Sequence, residues 1–86
     1  MAFLAGMAGR TIKSRTKLAK ALGQRIRSLR IEKGMSLKHF ESKEYSIDRH
    51  ALSDIEKGKK IPNLYTLYRI STVLGIPLEE FVTELN

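Results

Sequence analysis

Apolar residues recur every three or four positions through most of the chain, and glycines or turn residues break that rhythm before any one segment becomes long. Such pieces predict an all-α fold, because strand alternation is nowhere sustained and short helices are stable only when packed on one another. From Lys17 to Lys33, the spacing of Leu18, Leu22, Ile26 and Leu29 predicts an amphipathic first helix, with Gly34 as its left-handed stop. Gly23 weakens that helix locally by up to about 1 kcal/mol relative to alanine. Ser36 caps a second helix running to about Lys43, with Leu37 and Phe40 facing inward. Asp48 opens a third, DRHALSDIEKGKK, in which Ile47 and Leu52 occupy the two positions of a hydrophobic staple and Gly58 ends the helix. Asn63 caps a fourth with Leu64, Leu67, Ile70, Ser71 and Leu74 inside, and Pro77 opens a fifth, PLEEFVTEL, whose Glu79 and Glu80 lie near the positive end of its dipole. The expectation is a compact five-helix bundle over residues 17–86, preceded by a basic flexible arm over residues 1–16.

The distribution of charge narrows the partner. The chain carries a formal net charge of +7, and every acidic residue lies at Glu32 or later. Residues 1–31 hold eight bases and no acid, whereas residues 32–86 hold eight bases and nine acids. A basic N-terminal third on a nearly neutral remainder suggests a polyanion partner, reached by the arm and the first helix. With 86 residues the chain is one domain, too small for a large enzyme cleft. It has no cysteine, which excludes disulfides and thiolate metal sites and fits a reducing cytoplasm. Its two histidines, His39 and His50, are too far apart in sequence for a helical zinc pair. The opening MAFLAGMAG is far shorter than the roughly 20 residues of a spanning helix, and its bases follow the apolar run instead of preceding it.

Two matches to catalytic motifs fail on context. His39-Phe40-Glu41 echoes a deaminase His-x-Glu, but without cysteine its zinc site cannot be completed. Ser14-Arg15-Thr16-Lys17 spells Ser-x-x-Lys in a basic tail, with nothing around it to make the serine nucleophilic. No phosphate loop is present, so neither an enzyme nor a cofactor is expected. The third segment is more informative. At about 100° per residue, Ala51, Leu52 and Ile55 share one face while His50, Ser53 and Lys57 point away, flanked by Arg49 and Asp54. Two helices joined by a short turn, the second presenting a polar face, suit the DNA major groove.

Three stretches carry a resemblance that makes this reading specific. LGQRIRSLRIEKGMS (22–36), ALSDIEKGKKIPNLYTLYRIS (51–71) and LGIPLEEF (74–81) together closely resemble the Cro/cI-type, or XRE-family, helix-turn-helix domain over about residues 18–83. The resemblance implies a lambda-repressor-like fold and a stand-alone transcriptional regulator: a repressor, a controller or an antitoxin repressing its own operon. Its setting would be the cytoplasm of a bacterium, or a phage, in association with the nucleoid. It implies base reading by Arg49, His50, Ser53 and Asp54, and phosphate contacts by Lys57, Lys59, Lys60 and Asn63. It also implies an ion pair between Arg25 and Glu56 that fixes the relative position of two helices.

Two departures qualify the pattern. The family's usual glutamine after the second cap is Leu37 here, so the phosphate contact that the resemblance implies there is either missing or moved to Lys38. The connection SKEYSID is one residue longer than usual and lacks the common glycine. Outside the resemblance, Arg10, Lys13 and Arg15 can follow the DNA backbone or enter a minor groove, as homeodomain arms do. Family members commonly bind inverted repeats as dimers, and Val82 and Leu85 of the last stripe are candidates for the partner chain. The alternative reading is a protein-binding module with the same bundle, such as an antitoxin that sequesters a toxin. A membrane-surface peptide ranks third, since the apolar side of the first helix is needed for a core.

Overall fold

The computed structural model describes residues 14–42, 44–83 and 85. Among them are three α-helices, α1 (Arg15–Glu32), α2 (Arg49–Glu56) and α3 (Leu64–Leu74), with no strand. Two of the five expected helices are instead 3-10 turns, Leu37–Glu41 and Leu78–Phe81. Both are too short to support a cooperative α-helix. Ser42 returns to extended backbone after the first turn, and Thr83 Oγ1 donates to the Glu79 carbonyl at 2.7 Å beside the second. Each turn nevertheless delivers one fully buried phenylalanine, Phe40 or Phe81, to the core.

α1 starts two residues before Lys17, because Ser14 caps it and its Oγ accepts from the Lys17 N–H at 3.2 Å. Arg15 and Thr16 therefore belong to the first helical turn. α2 is capped by Asp48, which accepts from His50 and Ala51 N–H, both at 3.1 Å. Ile47 and Leu52 both lie in the core cluster, as the staple requires. α3 is capped by Asn63 Oδ1, which accepts from Thr66 N–H at 2.8 Å. Its buried residues are Leu67, Ile70, Ser71 and Leu74, but Leu64, expected inside, is 71 % exposed. The reason is angular: Leu64 follows the cap directly, at the edge of the arc that the other four occupy on the wheel.

The long connection before α2 closes without a glycine. Ile47 N–H donates to the Phe40 carbonyl at 2.8 Å, and Ser46 N–H to the Ser42 carbonyl at 2.7 Å, while Ser46 takes φ +50°. A serine in that left-handed region is strained by roughly 1–2 kcal/mol.

Leu22, Ile26, Phe40, Ile47, Leu52, Ile55, Leu67, Ile70, Leu74 and Phe81 form the core. α1 and α2 approach closely within it. A Cβ built on Gly23 would stand 2.2 Å from the Ile55 carbonyl oxygen and 2.7 Å from that of Glu56, so only glycine fits. The same crossing decides the partner of Glu56. Its carboxylate accepts two hydrogen bonds from Arg30, from Nε at 2.6 Å and from Nη2 at 2.9 Å, rather than from Arg25. Arg30 lies two helical turns after Gly23 on the same face, whereas Arg25 is displaced by about 200°. Arg25 instead donates from Nη1 to the Glu80 carbonyl at 2.7 Å, tying α1 to the second 3-10 turn.

The side chains of Arg30 and Glu56 are 13 % and 6 % exposed, and Arg30 Nη1 also donates to the Met35 carbonyl at 2.8 Å. The hydrogen bond to Glu56 raises the pKa of Arg30 above its ordinary value, against the opposing effect of burial. A raised arginine pKa contributes stability below the unfolded value, lost only as pH climbs through the folded one. The guanidinium thus stays charged at every ordinary pH.

Truncating either partner leaves the other partly buried and unpaired, so Glu56→Ala and Arg30→Ala should each lose about 3–5 kcal/mol in urea unfolding. Arg25→Ala should lose only about 1 kcal/mol. A double-mutant cycle should find coupling for Arg30 with Glu56 and none for Arg25 with Glu56. Gly23→Ala should lose about 1–3 kcal/mol or more through overpacking, although alanine is the better helix former. A thermal melt with Tm unchanged or raised would refute the close crossing.

Candidate nucleic-acid interface

Leu52, Ile55 and Glu56 hold α2 from behind, at 0 %, 5 % and 8 % exposure. That anchoring leaves Arg49, His50 and Lys57 exposed, with Ser53 and Asp54 half-buried between them. The four residues expected to read bases therefore differ in setting. Arg49 and His50 project from the first turn of α2, with half or more of each side chain exposed. Ser53 lies deeper, at the edge of a depression of about 210 Å³ lined also by Arg27, Arg30, Leu37, Glu56 and Lys57.

Arg49 has a neighbour of opposite charge. Its backbone N–H donates to Glu41 Oε2 at 3.2 Å, and its Nε stands 4.0 Å from the same oxygen. An exposed pair at that separation is worth at most about 1 kcal/mol. Glu41 therefore orients the Arg49 side chain and leaves it available to a stronger acceptor. Asp48 Oδ2 lies 3.8 Å from His50 Nδ1 while serving as the cap.

Lys57 is the C-cap of α2, and Gly58 follows at φ +78°, the left-handed conformation that reverses the chain. Lys59 N–H then donates to the Asp54 carbonyl at 2.9 Å, which holds the loop against the helix end. Lys59 and Lys60 line a groove of about 310 Å³ together with Arg15, Thr16, Ala19, Gly58 and Ile61. The structure thus joins Arg15, assigned to the arm by sequence, to two loop lysines more than forty residues away. Arg10 and Lys13 lie outside the described residues. Lys38 is exposed on the first 3-10 turn, and Asn63 is exposed at the start of α3, its side chain engaged in the cap.

Arg27 is an addition. It shares the Ser53 depression with Lys57, and a signal for it exists in the sequence, since it precedes Arg30 by one helical turn. Val82 is 52 % exposed, whereas Leu85 is half-buried and packs against the core cluster. Among the described residues no group of histidine, cysteine and acidic side chains could hold a metal ion, and no helix is long and apolar enough to cross a membrane.

The surface built by α2 and its flanks is therefore a polar helix face with a cation at each end and a lysine-rich loop beside it. Over 66 residues the chain is 32 % identical to the uncharacterized HTH-type transcriptional regulator y4dJ of Sinorhizobium fredii, an overlap covering 77 % of this chain and 84 % of the relative. Residues 23–85, which contain all three helices except the first turns of α1, match the family described as the helix-turn-helix domain, and the chain belongs to that family.

Proposed function

We propose that this protein is a sequence-specific, duplex-DNA-binding transcriptional regulator that inserts α2 into the major groove. The observation that carries the reading is the division of labour along residues 49–60: apolar residues and Glu56 face the core, while Arg49, His50 and the three lysines face solvent. A helix held in this way fits the width of the major groove. The relative from Sinorhizobium fredii, named as a transcriptional regulator, supports the same role.

Within this proposal Arg49 donates two hydrogen bonds to guanine O6 and N7, and His50, Ser53 and Asp54 read neighbouring base edges. Asp54 accepts from cytosine N4. Lys38, Lys57, Lys59 and Lys60, with main-chain N–H groups at the start of α3 beside Asn63, take the phosphates on either side. Arg15 joins the loop lysines at the backbone, and Arg10 and Lys13 extend the contact along it. Two copies bind an inverted repeat with half-sites about one helical turn apart. A module that binds only proteins would leave the cationic groove of Arg15, Lys59 and Lys60 without a role.

Selection from a random duplex library at near-physiological salt tests the proposal directly: an enriched inverted repeat is expected, and binding without enrichment would reduce the protein to an electrostatic attachment. On the selected site, Arg49→Ala should cost about 1–3 kcal/mol of binding and relax preference at one base pair, with thermal stability unchanged. Lys59→Ala and Lys60→Ala should weaken all sequences alike. Each should also reduce the slope of log K against log salt by about 0.9, with a further reduction on removing residues 1–13.

A further inference from the structure

Between α1, the first 3-10 turn and α2 lies a depression whose charge is not balanced. It holds about 210 Å³ and is lined by Arg27, Arg30, Leu37, Ser53, Glu56 and Lys57, so three cations and one acid face it. Glu56 is neutralised by Arg30, whose Nε and Nη2 donate to its carboxylate while Nη1 donates to the Met35 carbonyl. The positive charge left over belongs to Arg27 and Lys57. Both are exposed, and among the described residues no hydrogen bond or ion pair occupies the Arg27 guanidinium. Arg27 precedes Arg30 by three residues, which puts the two on one side of α1, and Lys57 follows Ser53 by four, on one side of α2. Two elements thus bring one cation each to the same opening.

We propose that this depression seats one backbone phosphate of the duplex, held by Arg27 and Lys57 with the Ser53 hydroxyl at its edge. The seat rests on the DNA-reading role proposed above and adds the C-terminal half of α1 to the elements that grip the duplex. Size and lining define the class of ligand. Pockets that enclose a drug-sized molecule start at roughly 300 Å³, so a nucleoside does not fit. No aromatic side chain lines the depression for a base to stack on. A tetrahedral oxyanion does fit. A guanidinium offers two parallel N–H groups to two phosphate oxygens, and an ammonium adds a point charge beside them. Glu56 disfavours the more highly charged forms. A phosphodiester carries a single negative charge, whereas a phosphate monoester carries about −1.5 to −2 near pH 7 and meets more repulsion from that carboxylate.

The location also favours the duplex. Ser53 belongs to the outer face of α2, so an anion in the depression lies beside the helix that reads bases in the proposed role. Leu37, the residue after the Ser36 cap, borders the depression with a side chain that has no hydrogen-bond donor. Arg27 supplies such donors at the same opening from α1. This seat and the groove of Arg15, Lys59 and Lys60 lie on opposite sides of Gly23 along α1. Phosphates held at both places fix the tilt of α1 against the duplex, and with it the register of α2.

The test uses the full chain and the duplex selected from the random library, with its phosphates neutralised one at a time as methylphosphonates. One linkage in each half-site should weaken the parent ~10-fold, and the same change should cost Arg27→Ala nothing beyond the ~10-fold it has already lost. Arg27→Ala should also lower the slope of log K against log salt by about 0.9, with base preference and melting temperature unchanged. Arg27→Lys should keep the parent's slope and only part of its affinity, because an ammonium cannot donate two parallel bonds. An Arg27→Ala chain with the parent's affinity and slope, or no linkage coupled to Arg27, would overturn the seat and leave the DNA reading in place. So would inorganic phosphate that binds the free parent saturably, competes with duplex and is lost in Arg27→Ala, since the occupant would then be a free anion. A changed base preference in Arg27→Ala would make Arg27 a base reader and refute the phosphate contact. A parent that selects no sequence from the library overturns both, and does so before any variant is compared.

Discussion

The forked hydrogen bonds from Arg30 to Glu56 set the rotation of α2 on α1, and the outward face of α2 follows from that rotation. Gly23 sets the distance: without a side chain, α1 comes against the last carbonyls of α2. Glu56 would be unfavourable alone, since a carboxylate in the last turn faces the negative end of the helix dipole. Arg30 removes that conflict and also bonds the Met35 carbonyl, so one side chain joins the end of α2 to the chain leaving α1. A partly buried pair of this kind adds little net stability over a well-packed apolar contact. What it adds is direction, because a guanidinium and a carboxylate meet edge to edge in one geometry while apolar side chains tolerate several.

Around that crossing, the two 3-10 turns act as mounts for single aromatic residues. Phe40 and Phe81 are fully buried although neither turn exceeds five residues. The first turn also frames the outer face of α2: the Phe40 carbonyl accepts from Ile47, the residue before the Asp48 cap, and Glu41 accepts from the backbone of Arg49. A longer helix there would be redundant. Its two ends are already fixed, one by Phe40 in the core and one by hydrogen bonds to the start of α2.

Helix periodicity made most of the α1 and α2 core faces and the boundaries at Gly34, Asp48, Gly58 and Asn63 legible in the sequence, because those depend on local spacing, although Leu18 and Ala51, expected inside, are half-buried while Ala19 is buried. Features that depend on how helices cross were not legible. Arg25 and Arg30 are both basic residues of one amphipathic helix, and only the close approach at Gly23 shows that Arg30 faces Glu56. Leu64 fits the apolar rhythm of α3 yet stands outside, since periodicity fixes an angle but not where a helix leaves the core. The lengths of the 3-10 turns were overestimated for a related reason. Ser36 and Pro77 signal a start, but nothing in the short segments after them signals how soon the backbone stops being helical. Of the candidate interface, the polar face of α2 was readable, and the meeting of Arg15 with Lys59 and Lys60 was not, being a tertiary contact between distant segments.

The partition of charge acquires a physical meaning once these positions are fixed. Of the basic residues in the first third, Arg30 is consumed by Glu56 and Arg25 by a backbone carbonyl, while Arg15 and Arg27 border the α2 surface from opposite ends of α1. Glu41, Asp48 and Asp54 stand on or beside the outer face of α2 itself. In the proposed DNA-reading role, attraction to phosphate would thus come mainly from the flanks, where Arg15, Lys59 and Lys60 line one groove. The centre would carry no net positive charge. A strongly cationic centre would bind any duplex through phosphate alone and leave little to discriminate. Acids placed there would resist that mode, and in the proposed role base edges that satisfy Arg49 and Asp54 would recover the lost attraction through hydrogen bonds available at few sequences.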